Sequence, residues 1–213
     1  MLIFFTTLTM LLALNQSNEV NHYTLDTGEH NIISYSVSKN SWMILSGTTN
    51  VNSFECLSEK GIYGVIPRTN SEPGDNRINF SDTHLLVKVN SFDCKNPYIT
   101  RDMHNSLGGD RNSNIEIKLF DTKLLDEHSG ESNRNFKANA VITVNDQSNI
   151  IELIIDWHQS GPFEYHFEGK ADLAMSDFGI TPPSPALGLV KVNDKITVHF
   201  SYTVQPDIIS GLD

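Results

Sequence analysis

Near the C-terminal end, residues 196–204 alternate without a fault. Ile196, Val198, Phe200, Tyr202 and Val204 face one way, and Thr197, His199, Ser201 and Thr203 face the other. A period of two sustained this long predicts a β-strand with one buried face. It follows Asn193-Asp194, which reads as a turn, and an irregular stretch from Asp177 containing Pro182, Pro183 and Pro185. Proline cannot donate to a ladder, so that stretch lies outside the sheet. A strand with so regular an apolar face needs a large apolar interior to sit against.

The same period recurs upstream. Ile115, Ile117 and Leu119 alternate with Glu116 and Lys118. Phe136, Ala138, Ala140, Ile142 and Val144 form the inward face of the next strand, and Ile151, Leu153, Ile155 and Trp157 that of its return. Phe163, Tyr165 and Phe167 alternate with Glu164, His166 and Glu168. The connections, Asn145 to Asn149 and Ser160-Gly161-Pro162, are short, so consecutive strands are antiparallel neighbours. Earlier strands are expected at 32–37, 62–66 and 84–92. A longer run over 42–57 contains Gly47, which suggests a bulge or bend. The segment 68–76 reads as a loop. A single short helix is expected over 100–107, opened by Asn96-Pro97 and stopped by Gly108-Gly109.

Eight or more antiparallel strands with almost no helix define an all-β barrel or sandwich. A barrel of about eight strands is just wide enough to fill with side chains or to hold one small ligand. Ala138 and Ala140 share the inward face with Phe136, Phe163, Tyr165, Phe167, Phe200 and Tyr202. Small residues there leave room, or they serve ordinary size matching.

Charge narrows the partners. The chain has 213 residues and a net charge of −11. That balance lacks the clustered Lys and Arg of a nucleic-acid site and opposes electrostatic attachment to an anionic membrane. Residues 1–14 are apolar and uncharged, too short to span a bilayer, and followed by Asn15-Gln16-Ser17. They read as a signal peptide ending near residue 17. A flexible polar segment (18–30), the barrel (31–205) and a short tail (206–213) complete the expected organisation of a periplasmic or secreted protein. Later in the chain no run approaches the ~20 apolar residues of a membrane span. An oxidising compartment permits a disulfide between Cys56 and Cys94, the two cysteines; two buried, inert thiols are the alternative.

With the strands placed, the sequence resembles the YceI-like family of bacterial exported proteins. The resemblance is carried by Ser46-Gly47-Thr48-Thr49-Asn50-Val51-Asn52-Ser53-Phe54-Glu55-Cys56 and by Arg101-Asp102-Met103-His104 ahead of Asn114-Ile115-Glu116-Ile117. It continues in the strand from Phe136 to Val144 and in Asp177-Phe178-Gly179-Ile180 with its closing strand. It implies an extended, lipocalin-like antiparallel barrel that binds a long apolar molecule, such as a polyisoprenoid or a fatty-chain lipid. On that reading the ligand-facing interior comprises Ile115, Ile117, Leu119, Phe136, Ala138, Ala140, Ile142, Phe163, Tyr165, Phe167, Val198, Phe200 and Tyr202.

Other chemistry finds little support. His158 and His166 flank one turn and can face each other, and His199 lies on the outer face of the last strand, but no three histidines have zinc-ligand spacing. Asp110-Arg111-Asn112-Ser113-Asn114 opens like a calcium loop, yet Ile115 and Asp121 stand where Gly and Glu belong. Ser129-Gly130 and Ser160-Gly161 lack a nucleophile elbow. Nothing calls for a cofactor or for catalysis. Exposed strand edges allow a homodimer, although no residue argues for one. The readings left are a carrier with an internal ligand, a solid-cored β-protein acting through its surface, and an enzyme acting on a lipid, for which the apolar inward positions speak least.

Overall fold

The computed structural model describes residues 35–65, 83–109, 113–125, 133–161 and 164–206. The segments expected as signal peptide, flexible arm and 68–76 loop, the tail after Pro206, most of the calcium-like loop, and Phe163 lie outside them. Ten antiparallel strands form one sheet: β1 (Tyr35–Val37), β2 (Trp42–Thr49), β3 (Ser53–Ser58), β4 (Ile62–Val65), β5 (His84–Lys88), β6 (Asn114–Leu124), β7 (Asn133–Val144), β8 (Gln147–Gly161), β9 (Glu164–Ala174) and β10 (Val192–Pro206). Among the described residues one α-helix, α1 (Pro97–Ser106), lies between β5 and β6.

The sheet closes on itself through β10. From β1 the order runs β4-β5-β6-β7-β8-β9-β10, and β10 pairs again with β1. One edge of β10 is paired along β9 from Lys195 to Val204. Its other edge is divided: β2 takes Val192 to Ser201, and β1 takes Val204 to Pro206. β3 extends β2 while β4 extends β1, so the ring is complete at the β1–β4 end and parted at the β2–β3 end.

The parted end is sealed by other means. Cys56 on β3 is bonded to Cys94. Beside it, Leu57 and Asp93 exchange both backbone hydrogen bonds, at 2.9 and 2.8 Å. The segment they hold leads into α1, which Asn96 caps by accepting from Tyr98 N and Ile99 N, with Pro97 at the first helical position. His104 Nε2 is 2.9 Å from the Phe92 carbonyl, and the Cys94 amide donates to Thr100 Oγ1 at 3.0 Å. Ile99, Met103 and Leu107, four residues apart, turn one face of α1 onto the barrel interior.

The alternating strands fold as their period demands, with Leu85, Val87, Ile115, Ile117, Phe136, Ile142, Leu153, Phe200 and Val204 all buried. Three expectations are corrected. The run 42–57 is a hairpin, turning at Asn50–Asn52, and not one bent strand. The irregularity beside Gly47 belongs to β10, which carries the extra residues between Val192 and Ile196 where these pair with Thr49 and Gly47; Gly47 itself makes room for the Phe54 ring on the paired strand, which a methyl would overlap. Asn193-Asp194 lies within β10 at a register shift between Val192 and Ile196. The β7–β8 connection also tightens to two residues, Asn145 and Asp146, both with positive φ as a type I′ turn requires.

The disulfide closes a loop with a sequence separation of 38, which the chain-entropy treatment values at roughly 4 kcal/mol. A Cys56→Ala/Cys94→Ala protein is expected to lose about that much stability in urea unfolding. A loss under about 1 kcal/mol would show that the backbone pairing and α1 hold the seam alone.

Candidate ligand-binding site

The barrel interior is not filled. A cavity of 320 Å³ opens at the parted end, within the range of about 300–1,000 Å³ typical of small-molecule sites. Beneath it lies a chamber of 60 Å³. Met43, Ile117, Ile142, Leu173 and Val198 line both, so a single aliphatic waist separates the two spaces.

The outer cavity is walled by elements that meet only at this end. β2 contributes Met43 and Leu45, and α1 contributes Ile99, Met103 and, just beyond it, Leu107. A 3-10 turn, Met175–Phe178, contributes Met175 and Phe178, and the following proline segment contributes Pro183, Pro185 and Val190. Polar groups are confined to the rim: Thr49 and Asn52 bond each other on the β2–β3 turn, and Asp102 on α1 stands 3.5 Å from Arg101. Val51, Tyr98, Leu187 and Leu189 are exposed apolar side chains at the same end.

The 3-10 turn is held by Asp194 on β10, whose carboxylate accepts from Ser176 N at 2.8 Å and Ser176 Oγ at 2.5 Å. The Ser176 hydroxyl and amide hold the Asp194 pKa below its ordinary 3.8. A depressed carboxylate pKa stabilises the fold above the ordinary value and ceases to as pH falls through the folded one. This tie is therefore complete at neutral pH and loosens only in acid.

The inner end is aromatic. Phe136, Phe167, Phe200 and Tyr202 line the small chamber, with Phe136 and Phe167 edge to face at 6.3 Å and Phe200 and Tyr202 stacked at 5.0 Å. Trp157 packs against both Phe167 and Tyr165, at 6.4 and 6.0 Å. Gly169 admits the Phe200 ring, because a methyl at Gly169 would overlap it.

Of the residues expected inside, Ile115, Ile117, Ile142 and Val198 line the outer cavity. Leu119, Phe136, Phe167, Phe200 and Tyr202 line the inner chamber. Ala138 and Ala140 are inward and fully buried but line neither space. Leu119 and Ile151 flank Ala140, and Leu153 flanks Ala138. Those longer side chains reach the chamber instead, so the alanines serve size matching. Tyr165 lies against Trp157 and lines neither space. The α1 and proline-segment walls were not foreseen, although the Ile99/Met103/Leu107 spacing was open to view.

His158, His166 and His199 lie on the outer face of their strands. His158 and His166 face each other across β8 and β9 with rings 4.9 Å apart, and His199 contacts Glu168 at 2.8 Å. Among the described residues no group of three or more His, Cys, Asp or Glu is placed to hold a metal ion. Nor, among them, is any helix long and apolar enough to cross a membrane.

A nearly closed antiparallel barrel around an apolar cavity defines a lipocalin-like architecture. Residues 23–204 match the YceI-like domain, and the chain belongs to the YceI-like family. No curated protein matches it. Among solved structures it resembles a polyisoprenoid binding domain from Saccharophagus degradans implicated in plant cell wall breakdown, at 11% identity and a TM-score of 0.60 over 82% of this chain and 99% of that one. It also resembles Burkholderia cenocepacia BcnA, at 13% identity and a TM-score of 0.59 over 78% and 98%. At these identities the likeness is one of fold.

Two outcomes check the cavity. Leu173→Trp, placed at the waist, is expected to weaken binding of the lipophilic dye N-phenylnaphthylamine at least about tenfold. It should cost less than about 1 kcal/mol of stability, because the indole enters empty space rather than packed core. Asp194→Asn at neutral pH is expected to speed amide exchange at Ser176 about tenfold or more, measured by hydrogen exchange; unchanged exchange would show that the tie does not hold the turn.

Proposed function

We propose that this protein is an exported carrier that holds a long, uncharged apolar molecule of polyisoprenoid or fatty-chain type inside its barrel. The observation that carries the reading is the apolar cavity with a polar rim on one side and a second apolar chamber behind its waist. A space with this lining favours carbon chains, since each CH₂ taken from water is worth roughly 0.8 kcal/mol. Part of that is spent ordering a flexible chain. Polyisoprenoid binding in the Saccharophagus degradans domain, which shares the fold, points the same way.

Binding accounts for the interior without catalysis. Asp102 and Tyr98 at the rim and Tyr202 in the chamber are the titratable groups among the lining residues, and they do not converge. Export is supported by the apolar stretch 1–14 and by the Cys56–Cys94 disulfide, a bond that persists in oxidising compartments.

Native mass spectrometry of the protein purified from a bacterial periplasm without detergent tests the reading. A stoichiometric adduct that extracts into organic solvent as an isoprenoid or fatty species is expected. A bare mass that stays unchanged after incubation with a panel of prenyl and fatty-chain lipids would instead favour a role on the outer surface.

A further inference from the structure

The mouth of the outer cavity carries apolar side chains that the core does not use. Val51 on the β2–β3 turn is 66% exposed and Tyr98 on α1 is 69% exposed, and both line the cavity. On the proline segment, between the lining residues Pro185 and Val190, Leu187 is fully exposed and Leu189 is 76% exposed. Turn and segment are fastened together. Asn50 Nδ2 donates to the Leu189 carbonyl at 3.0 Å, and the Lys191 amide donates to Asn50 Oδ1 at 2.8 Å. Exposed apolar groups gathered around an opening mark a surface that meets another apolar phase.

Leu187 stands there against its backbone preference. Ala186 and Leu187 have φ of 54° and 57°, in the left-handed region that a Cβ disfavours and that Gly188 beside them enters freely. Gly188 N donates to the Ser184 carbonyl at 3.2 Å and Leu189 N to the Ala186 carbonyl at 3.1 Å, which tightens the chain into a knuckle with Leu187 at its tip. Facing water, that leucine gains no burial within the barrel to offset the strain.

Charge at the mouth differs from that of the chain. The segments bearing these side chains, 49–53, 96–106 and 183–192, hold Arg101 and Lys191 against the single carboxylate of Asp102, in a chain of net charge −11. The Arg101 guanidinium lies 5.7 Å over the Tyr98 ring. Tyrosine and arginine, each with an apolar body and a polar tip, suit the headgroup level of a bilayer, where the cations meet phosphate; leucine and valine suit its acyl edge.

Resting on the carrier reading, we propose that the mouth docks onto a phospholipid bilayer, with Leu187, Leu189 and Val51 entering its acyl edge and Tyr98 and Arg101 at its headgroups. A long apolar molecule passes through water only at great cost, and a mouth seated on the membrane lets it move directly between bilayer and cavity. A second copy of the chain seated on the same side chains would instead close the cavity.

The test is flotation of the protein, purified from a bacterial periplasm, with phosphatidylcholine vesicles, alongside N-phenylnaphthylamine binding in vesicle-free solution. The native protein is expected to float. Leu187→Asn is expected to weaken vesicle binding about tenfold and to leave dye binding within about twofold. Its thermal unfolding temperature should be equal or higher, because asparagine tolerates the left-handed backbone better than leucine. Leu187→Trp is expected to shift its emission to the blue when vesicles are added, beyond any shift of the native protein. A native protein that binds the dye but does not float would overturn the docking face and leave the carrier reading intact. Equal flotation of native protein and Leu187→Asn would overturn it as well, by placing the membrane contact elsewhere. A dimer in size-exclusion chromatography that Leu187→Asn dissolves would overturn it in favour of a second copy. Absence of dye binding by the native protein would overturn the carrier reading and the docking face together.

Discussion

β10 pairs along one edge with β9 and divides the other between β1 and β2, and the shape of the interior follows from that division. Where β1 and β4 close the ring, aromatics on β7, β8, β9 and β10 pack against their neighbours along the wall of the sheet. Where β2 and β3 continue alone, the ring parts. Side chains from the strands cannot fill the wider end, so the chain brings in the Cys56–Cys94 clasp, α1 and the proline segment to cover it. The cavity is the space those elements roof over but do not fill.

The composition of the walls fits that geometry. Aromatic side chains are concentrated at the narrow end, where rings 5.0 to 6.4 Å apart pack the floor. Glycine appears where a ring must lie flat against the sheet, at Gly169 under Phe200 and at Gly47 under Phe54. Aliphatic side chains line the waist, and Met43 among them has the unbranched, adaptable chain suited to a passage that must yield to different occupants. The lining thus grades from polar at the rim, through aliphatic at the waist, to aromatic at the floor.

Much of the barrel was legible because period two survives intact in strands with one buried face. The segments around Phe136, Ile151 and Ile196 could hardly be read otherwise. The β2–β3 hairpin was hidden because its turn, Asn50-Val51-Asn52, contains neither Gly nor Pro and keeps the alternation going through Val51. The register shift at Asn193-Asp194 carries turn residues without being a turn, since β10 bends there and continues. The cavity was only half legible. Inward positions could be named strand by strand, but whether a residue faces empty space depends on how its neighbours pack, as Ala138 and Ala140 show. The walls supplied by α1 and the proline segment depend on a closure between residues distant in sequence, which no local period encodes.

Methyl NMR of the protein titrated with 2-dodecanone addresses the central claim, that the interior is a ligand site, most directly. The account predicts that the Met43, Ile117, Ile142, Leu173 and Val198 methyls at the waist shift together and saturate at one equivalent, while the exposed Ile150 and Ile154 methyls on the outer face of β8 stay still. Shifts confined to exposed methyls, or none at all while the ligand remains in solution, would contradict it.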